Sequence, residues 1–341
     1  MPAKYSITRH PRYTALLAVV LIATVFVFSQ GSSNVESYFS RGDSLKWRII
    51  EEDERYDKLL IDREAMVRKW GPTPALVEAF PPRDDFYTLW DFFIPAFQCP
   101  HRVERVGVLG DGGKWVCGLD RIARQKECVI YSFGVNNESS FEAELLRRAP
   151  GCQVWGYDFS VPSFGPEITA VPALRDRSHF HAWALGEVDN HGPGVYPPTY
   201  SLSTLMALNG HQFIDILKVD IEGAEFTALS SFLSVQTAMQ GTEPHNPHAP
   251  PSSPNNAAHP AAPLPIGQMQ IEIHARSDTG YSTFAPFKSW WESLERAGLR
   301  PFFTEPNLVY VNLIRGARPD LAEYSFMNIR GHHALVSDDY L

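Results

Sequence analysis

The stretch "DILKVDIEGAEF", Asp215–Phe226, is an apolar run that carries a lysine, ends on an aspartate and a glutamate, and breaks at Gly223. Buried strands rarely keep Lys, Asp and Glu so close together, so each charge needs a partner or a task. Lys218 beside a carboxylate would tolerate burial as an ion pair. Glu222 and Glu225 fall in the first turn of the next expected helix, where negative charge is favoured, so capping is one reading of both.

Working outward, the same theme recurs. "ECVIYSFG" reads as a strand and "SSFEAELLRRAP" as a helix with Phe141, Leu145 and Leu146 on one face. "CQVWGYDFS" and "HFHAWALG" read as further strands, and "STLMALNG" as a short helix. "FIDILKVDIEG" is the fourth strand, followed by the helix "AEFTALSSFL". "QMQIEIHA" is the fifth, followed by the helix "FKSWWESLERAG", which stops at Gly298. "LRPFFTEPN" and "LVYVNLIR" are expected to close as an antiparallel hairpin at one sheet edge. Strands alternating with helices predict an α/β fold around a mostly parallel sheet.

Ligands of such sheets sit outside the carboxyl ends of the strands. Those ends are Ser132-Phe133-Gly134, Asp158, Leu185-Gly186, Asp220 with Glu222, and Glu272 with His274. Gly134 allows close backbone approach, and Asp158 suits two ribose hydroxyls. The alternatives are a plain turn and a helix N-cap. The loop "SFGVNNESSFE" has one glycine, so the G-x-G-x-x-G pyrophosphate cradle is absent. S-adenosylmethionine fits that loop: it has ribose, adenine and a charged amino-acid tail, and no phosphate. Ser132, Phe133, Gly134, Asp158, Leu185 and Asp220 are the expected cofactor contacts. Asp220, Glu222 and His274 are the expected catalytic groups, able to orient a hydroxyl or take its proton. No metal is expected.

"LSTLMALNGHQFIDILKVDIEGAEFTAL" resembles the signature of FkbM-type methyltransferases. "IYSFGVNNESSFEAEL" and "GDGGKWVC" are closer to the methyltransferase-like protein 24 group within that class. The resemblance covers about residues 97–235 and 266–315. It implies a class I Rossmann-like methyltransferase fold, S-adenosylmethionine as cofactor and an oxygen acceptor. The one-glycine loop departs from the glycine-richer loop of typical members. "GDGGKWVC" itself reads as a hairpin turn; the resemblance implies a cover over the cofactor pocket.

The 341 residues, 44% hydrophobic and 20% charged, suffice for a large core. A net charge of −9 gives no electrostatic footprint for nucleic acid. "YTALLAVVLIATVFVFS", 13–29, is free of charge and follows Lys4, Arg9 and Arg12. It reads as a transmembrane signal anchor after a cytoplasmic tail, 1–12, with the bulk of the chain lumenal. A cleaved signal peptide is the alternative; no clean cleavage site follows the run. Residues 30–96 read as a stem with helices, and 97–330 as the methyltransferase-like domain. The Pro-rich stretch 236–266 is expected to be a disordered insertion, and 331–341 a tail. His245, His248 and His259 within that insertion lack the fixed geometry of a metal site. Four cysteines suit an oxidising lumen; Cys99 and Cys117 flank a turn-rich segment and are candidates to pair, with buried thiols the alternative.

The leading reading is a single-pass type II membrane protein of the Golgi or ER whose lumenal domain methylates a glycan, lipid-linked or small-molecule hydroxyl. A lumenal glycosyltransferase competes through Asp220-Ile221-Glu222, the nearest match to a metal-holding D-x-D motif. A non-catalytic module that keeps the fold is the third reading.

Overall fold

A computed structural model describes residues 44–82, 85–240, 263–314, 316 and 318–340. The tail 1–12, the expected anchor 13–29, the first part of the stem and residues 241–262 lie outside the described residues. Among the described residues, no helix is long and apolar enough to cross a membrane.

Helix α1, Leu45–Trp70, opens the structure with Ser44 as its N-cap. A hairpin follows, β1 Val103–Val106 and β2 Lys114–Cys117, as its Asp-Gly-Gly turn predicts. Then come β3 Cys128–Phe133, α2 Ser140–Arg148, β4 Cys152–Tyr157 and β5 Ser178–His181. Two short strands, β6 Ala184–Leu185 and β7 Thr199–Tyr200, pair with each other outside the main sheet. Next are α3 Leu202–Asn209, β8 Ile214–Val219, α4 Glu225–Gln240 and β9 Ile266–His274. The chain continues through α5 Phe284–Arg296, β10 Leu299–Pro306, α6 Leu308–Leu313 and β11 Leu321–Asn328.

The main sheet has seven strands in the order β10-β11-β9-β8-β3-β4-β5. The pairs β9–β8–β3–β4–β5 are parallel, and β11 runs antiparallel to both its neighbours. This is the Rossmann-like methyltransferase arrangement the sequence predicts. Every residue of β8 and β9 is buried because both sheet faces are covered, which explains their near-continuous apolar runs. One face carries Tyr131, Phe133, Leu217, Val219 and Ile271 against α3, α4 and α5. The other carries Ile130, Val154 and Ile216 against α1, α2 and the hairpin.

Four expectations need correction. "LVYVNLIR" is not the hairpin partner of β10: Leu308–Leu313 is helical, capped by the Asn307 side chain, which accepts from Tyr310 N at 3.0 Å. The partner is β11, which enters between β9 and β10, so the expected antiparallel pair at the sheet edge is β10–β11. The third main-sheet strand stops at His181, because the chain turns there with Trp183 N donating to His181 O at 2.8 Å; Leu185 lies in β6. The insertion is shorter in its described part, since α4 runs to Gln240 and Leu264 and Ile266 are core residues. Residues 331–340 are not a loose tail: His333, Ala334 and Leu335 are buried, and Arg121 donates to Ala334 O and Ser337 O.

The later stem packs on the domain. Arg63 and Glu295 form a buried ion pair, and Phe92 and Phe93 join the core. Cys99–Cys117 is a disulfide as its spacing allows, and Cys128–Cys152 joins register partners at the start of β3 and β4.

Candidate functional site

Chain connections leave β3 in one direction to β4 and β5 and return on its other side as β8. The crevice between the carboxyl ends of β3 and β8 is therefore the switch point of the sheet. Gly134 stands there with φ +76°, and a Cβ on it would collide with the Asp220 carbonyl. Asp220 N donates to Phe133 O at 3.2 Å, so the two strand ends are stitched together. Lys218 answers part of the puzzle of the opening stretch. Its buried ammonium donates to the Gly134 carbonyl and lies 4.0 Å from Glu142, which also accepts from Ser132 Oγ. It holds the β3 loop in place rather than facing a ligand. Asp215, at the other end of β8, accepts from Gln125 Nε2 and Val129 N, both at 2.9 Å, and burial raises its pKa.

Asp158 follows β4 as expected. Its Oδ2 accepts from Asn136 N at 2.8 Å, and its Oδ1 from Ser160 N at 2.8 Å and Ser160 Oγ at 2.6 Å. It thus ties the β3 loop to the β4 loop, with lone pairs remaining for further donors. Asn136 and Asn137 both take positive φ, 44° and 59°. Asparagine tolerates that region, so this pair makes the tight turn that a second glycine would otherwise make. The hairpin lies over the first turns of α2: Gly107 N donates to Glu144 at 2.7 Å and Val108 N to Ser140 Oγ at 3.0 Å.

The second half of the site joins β8 to β9. Glu225, fully buried, accepts from Gly223 N at 2.8 Å, His274 N at 2.8 Å and His274 Nδ1 at 3.2 Å. This fixes the imidazole with Nε2 pointing at carboxylates, 3.5 Å from Glu222 and 3.8 Å from Glu272. Burial works against the charged imidazolium, but the Glu225 hydrogen bond and the charges of Glu225, Glu272 and Asp220 outweigh it and push His274 up to about 9. Burial, with Asp220 and Glu323 nearby, pushes Glu272 up to about 8. The hairpin contributes Lys114, which is buried and ion-paired with Glu323. Glu222 is the exposed member, with φ 58° and Arg276 Nη1 donating to it at 2.8 Å.

Gly134, Asp158, Asp220, Glu222 and His274 thus meet at neighbouring strand ends, as read from sequence. Ser132, Phe133 and Leu185 do not present side chains there. Ser132 bonds Glu142, Phe133 stacks on Tyr157 at 4.9 Å, and Leu185 is a core residue, so the first two can meet a ligand only through backbone. Sequence reasoning missed the orienting role of Glu225, the turn of Asn136-Asn137, and Lys114 and Arg276. The Asn-Asn pair in a strand-to-helix loop was the one available signal. A surface cavity of about 1050 Å³ lies between α4 and α5, lined by residues such as Ser234, Tyr281 and Trp290, and none of the strand-end groups lines it.

Residues 81–263 match the family described as Methyltransferase domain. The chain belongs to this methyltransferase-domain family. The match begins before the domain start read from sequence and ends before β9. A probable methyltransferase-like protein 24 of Rattus norvegicus is 31% identical over 204 residues, covering 56% of this chain and 47% of the relative. Its Homo sapiens counterpart is 29% identical over 118 residues, covering 32% of this chain and 29% of the relative. The likeness to the methyltransferase-like protein 24 group is therefore borne out, while the match spans about half of the rat relative's length and less of the human one's. Among solved structures, the Methanococcus jannaschii fibrillarin pre-rRNA processing protein matches over 63% of this chain and 70% of its own. Its TM-score of 0.34 and 13% identity are too low to carry an argument.

Proposed function

We propose that this methyltransferase-domain chain binds S-adenosylmethionine and methylates a hydroxyl oxygen of a glycan, lipid-linked or small-molecule acceptor. The observation that carries the reading is the meeting of Gly134, Asp158 and Asp220 at the ends of three adjacent strands, β4, β3 and β8. Gly134, lacking a Cβ, lets the Asp220 carbonyl close against the end of β3, which sets the two strand ends that flank the crevice. The Asp158 carboxylate, already oriented by three donors, accepts from ribose hydroxyls. The cofactor supplies an electrophilic methyl group on a sulfonium. Asp220 lies where it takes the acceptor proton as the new oxygen–methyl bond forms, and the crevice aligns the two reactants. A lumenal setting in the Golgi or ER, behind a single-pass anchor, is supported by two disulfides and by the apolar run after Arg12.

Calorimetric titration with S-adenosylmethionine, S-adenosylhomocysteine and a nucleotide sugar tests this reading. Binding of the first two is expected. Asp158→Ala should weaken it by about 1.5–3 kcal/mol through lost charge-assisted hydrogen bonds. Asp220→Asn should keep affinity and lose turnover. Binding of the nucleotide sugar alone, or of none of the three, would overturn the proposal.

A further inference from the structure

The strand-end carboxylates outnumber the cations that face them. Lys114 is committed to Glu323, and Lys218 to the Gly134 carbonyl and Glu142. Arg276 reaches Glu222 at the exposed rim, 2.8 Å away, and the His274 ring stands 3.5 Å from it. Asp220, Glu222 and His274 each offer a ligand atom, and these atoms all lie within 4.8 Å of one another. The second observation is independent of the acidic cluster. His274 is fully buried, and its Nε2 has no hydrogen-bond partner. Its other nitrogen is held by Glu225 at 3.2 Å, the carboxylate–histidine pairing that fixes a ring for metal ligation.

We infer that Asp220, Glu222 and His274 form a binding site for one divalent first-row cation such as Mn²⁺, with Glu225 as the residue that positions His274. One imidazole nitrogen and two carboxylate oxygens suit such an ion, and no thiolate competes because all four cysteines are in disulfides. Ligand atoms about 2.0–2.2 Å from one cation lie about 3–3.5 Å apart, so the widest pair, within 4.8 Å here, would close by up to about 1–2 Å. Glu222 is free to make that move: its side chain is 73% exposed, and Arg276 is its anchor. The ion would lie at the ends of β8 and β9, and the expectation of a metal-free site would then fail. Its catalytic meaning rests on the methyltransferase reading. There it would coordinate the acceptor hydroxyl and lower its pKa, the proton passing to the second carboxylate oxygen of Asp220 as the hydroxyl oxygen attacks the sulfonium methyl, the carbon–sulfur bond breaks and S-adenosylhomocysteine leaves.

The test is titration of Mn²⁺ into the chelator-stripped full chain, followed by loss of the free-ion paramagnetic resonance signal. One saturable site per chain is expected. His274→Ala and Glu222→Gln should each weaken binding at least tenfold, and Glu225→Gln by 10–100-fold. If His274→Ala fails to fold, the exposed Glu222→Gln decides. No saturable binding, with the imidazolium alone balancing the carboxylates, would overturn the site, as would unchanged affinity in Glu222→Gln. Titration of S-adenosylmethionine on the same samples separates the two readings. Cofactor binding without Mn²⁺ binding removes only the cation site, and Mn²⁺ binding without cofactor binding removes only the transferase reading.

Discussion

His274 and His333 are both buried, and each has an Nε2 with no hydrogen-bond partner. Their surroundings differ in one respect. Around His274 stand Glu225, Glu272, Asp220 and Glu222, and the imidazole is pushed up to about 9 against the pull of burial. Around His333 burial acts with weak repulsion from His332 and His101, while backbone hydrogen bonds to Arg330 and Asn328 only partly offset it, and the ring falls to about 4. The pair teaches that an unpartnered buried imidazole nitrogen does not by itself mark a site. At His333 it is a neutral packing element; at His274 it lies among carboxylates that want a cation.

The largest expected effect breaks the His274 side of this contrast. Glu225→Ala removes a buried carboxylate that accepts three hydrogen bonds and should cost about 3–5 kcal/mol of stability. Urea unfolding checks this, and a loss under about 1 kcal/mol would mean that His274 is not held by Glu225. The next sharpens the His333 side. The unfolded imidazole takes up a proton near pH 6.5, whereas the folded one waits until about 4. The unfolded state therefore gains protons first as pH falls. Wild type should lose on the order of 2–3 kcal/mol between those limits relative to His333→Gln. Parallel stability curves for the two proteins would refute the assignment.

The third effect moves to the far end of β8. Asp215→Ala strands the Val129 N–H and should cost about 1–3 kcal/mol with cofactor affinity unchanged. A fall in affinity would show that this end of the strand reaches the crevice. The smallest is Glu222→Gln, which should change stability by less than about 0.5 kcal/mol because the group is exposed. A larger loss would place Glu222 among the structural charges.

These contrasts also show how far the sequence could be read. The β3, β4, β8 and β9 strands announced themselves because each is an apolar run stopped by a polar group or glycine. Gly134, Asp158 and Asp220 followed from position alone. The β11 strand was missed, since "LAEYSFMN" carries Glu, Ser and Asn whose partners lie on other segments: Glu323 pairs with Lys114, and Ser325 donates to Trp115 O. The helix Leu308–Leu313 was misread because "LVYVNL" has strand-like composition, and the Asn307 cap overrides it. Glu225 looked like a first-turn charge, which it is by position. Its bond to His274 depends on a strand 49 residues away, and no local pattern carries that distance.

The placement of β11 between β9 and β10 also bears on how the protein is made. A ribosome delivers β10 before β11, so until Asn328 has emerged β9 presents an open edge and β10 has no seat in the sheet. The fully buried β9, with His274 at its end, is thus the site strand whose ladder is finished last. Chains stopped anywhere between Pro306 and Leu321 would carry β9 and β10 as two unpaired edges, a template for association during synthesis.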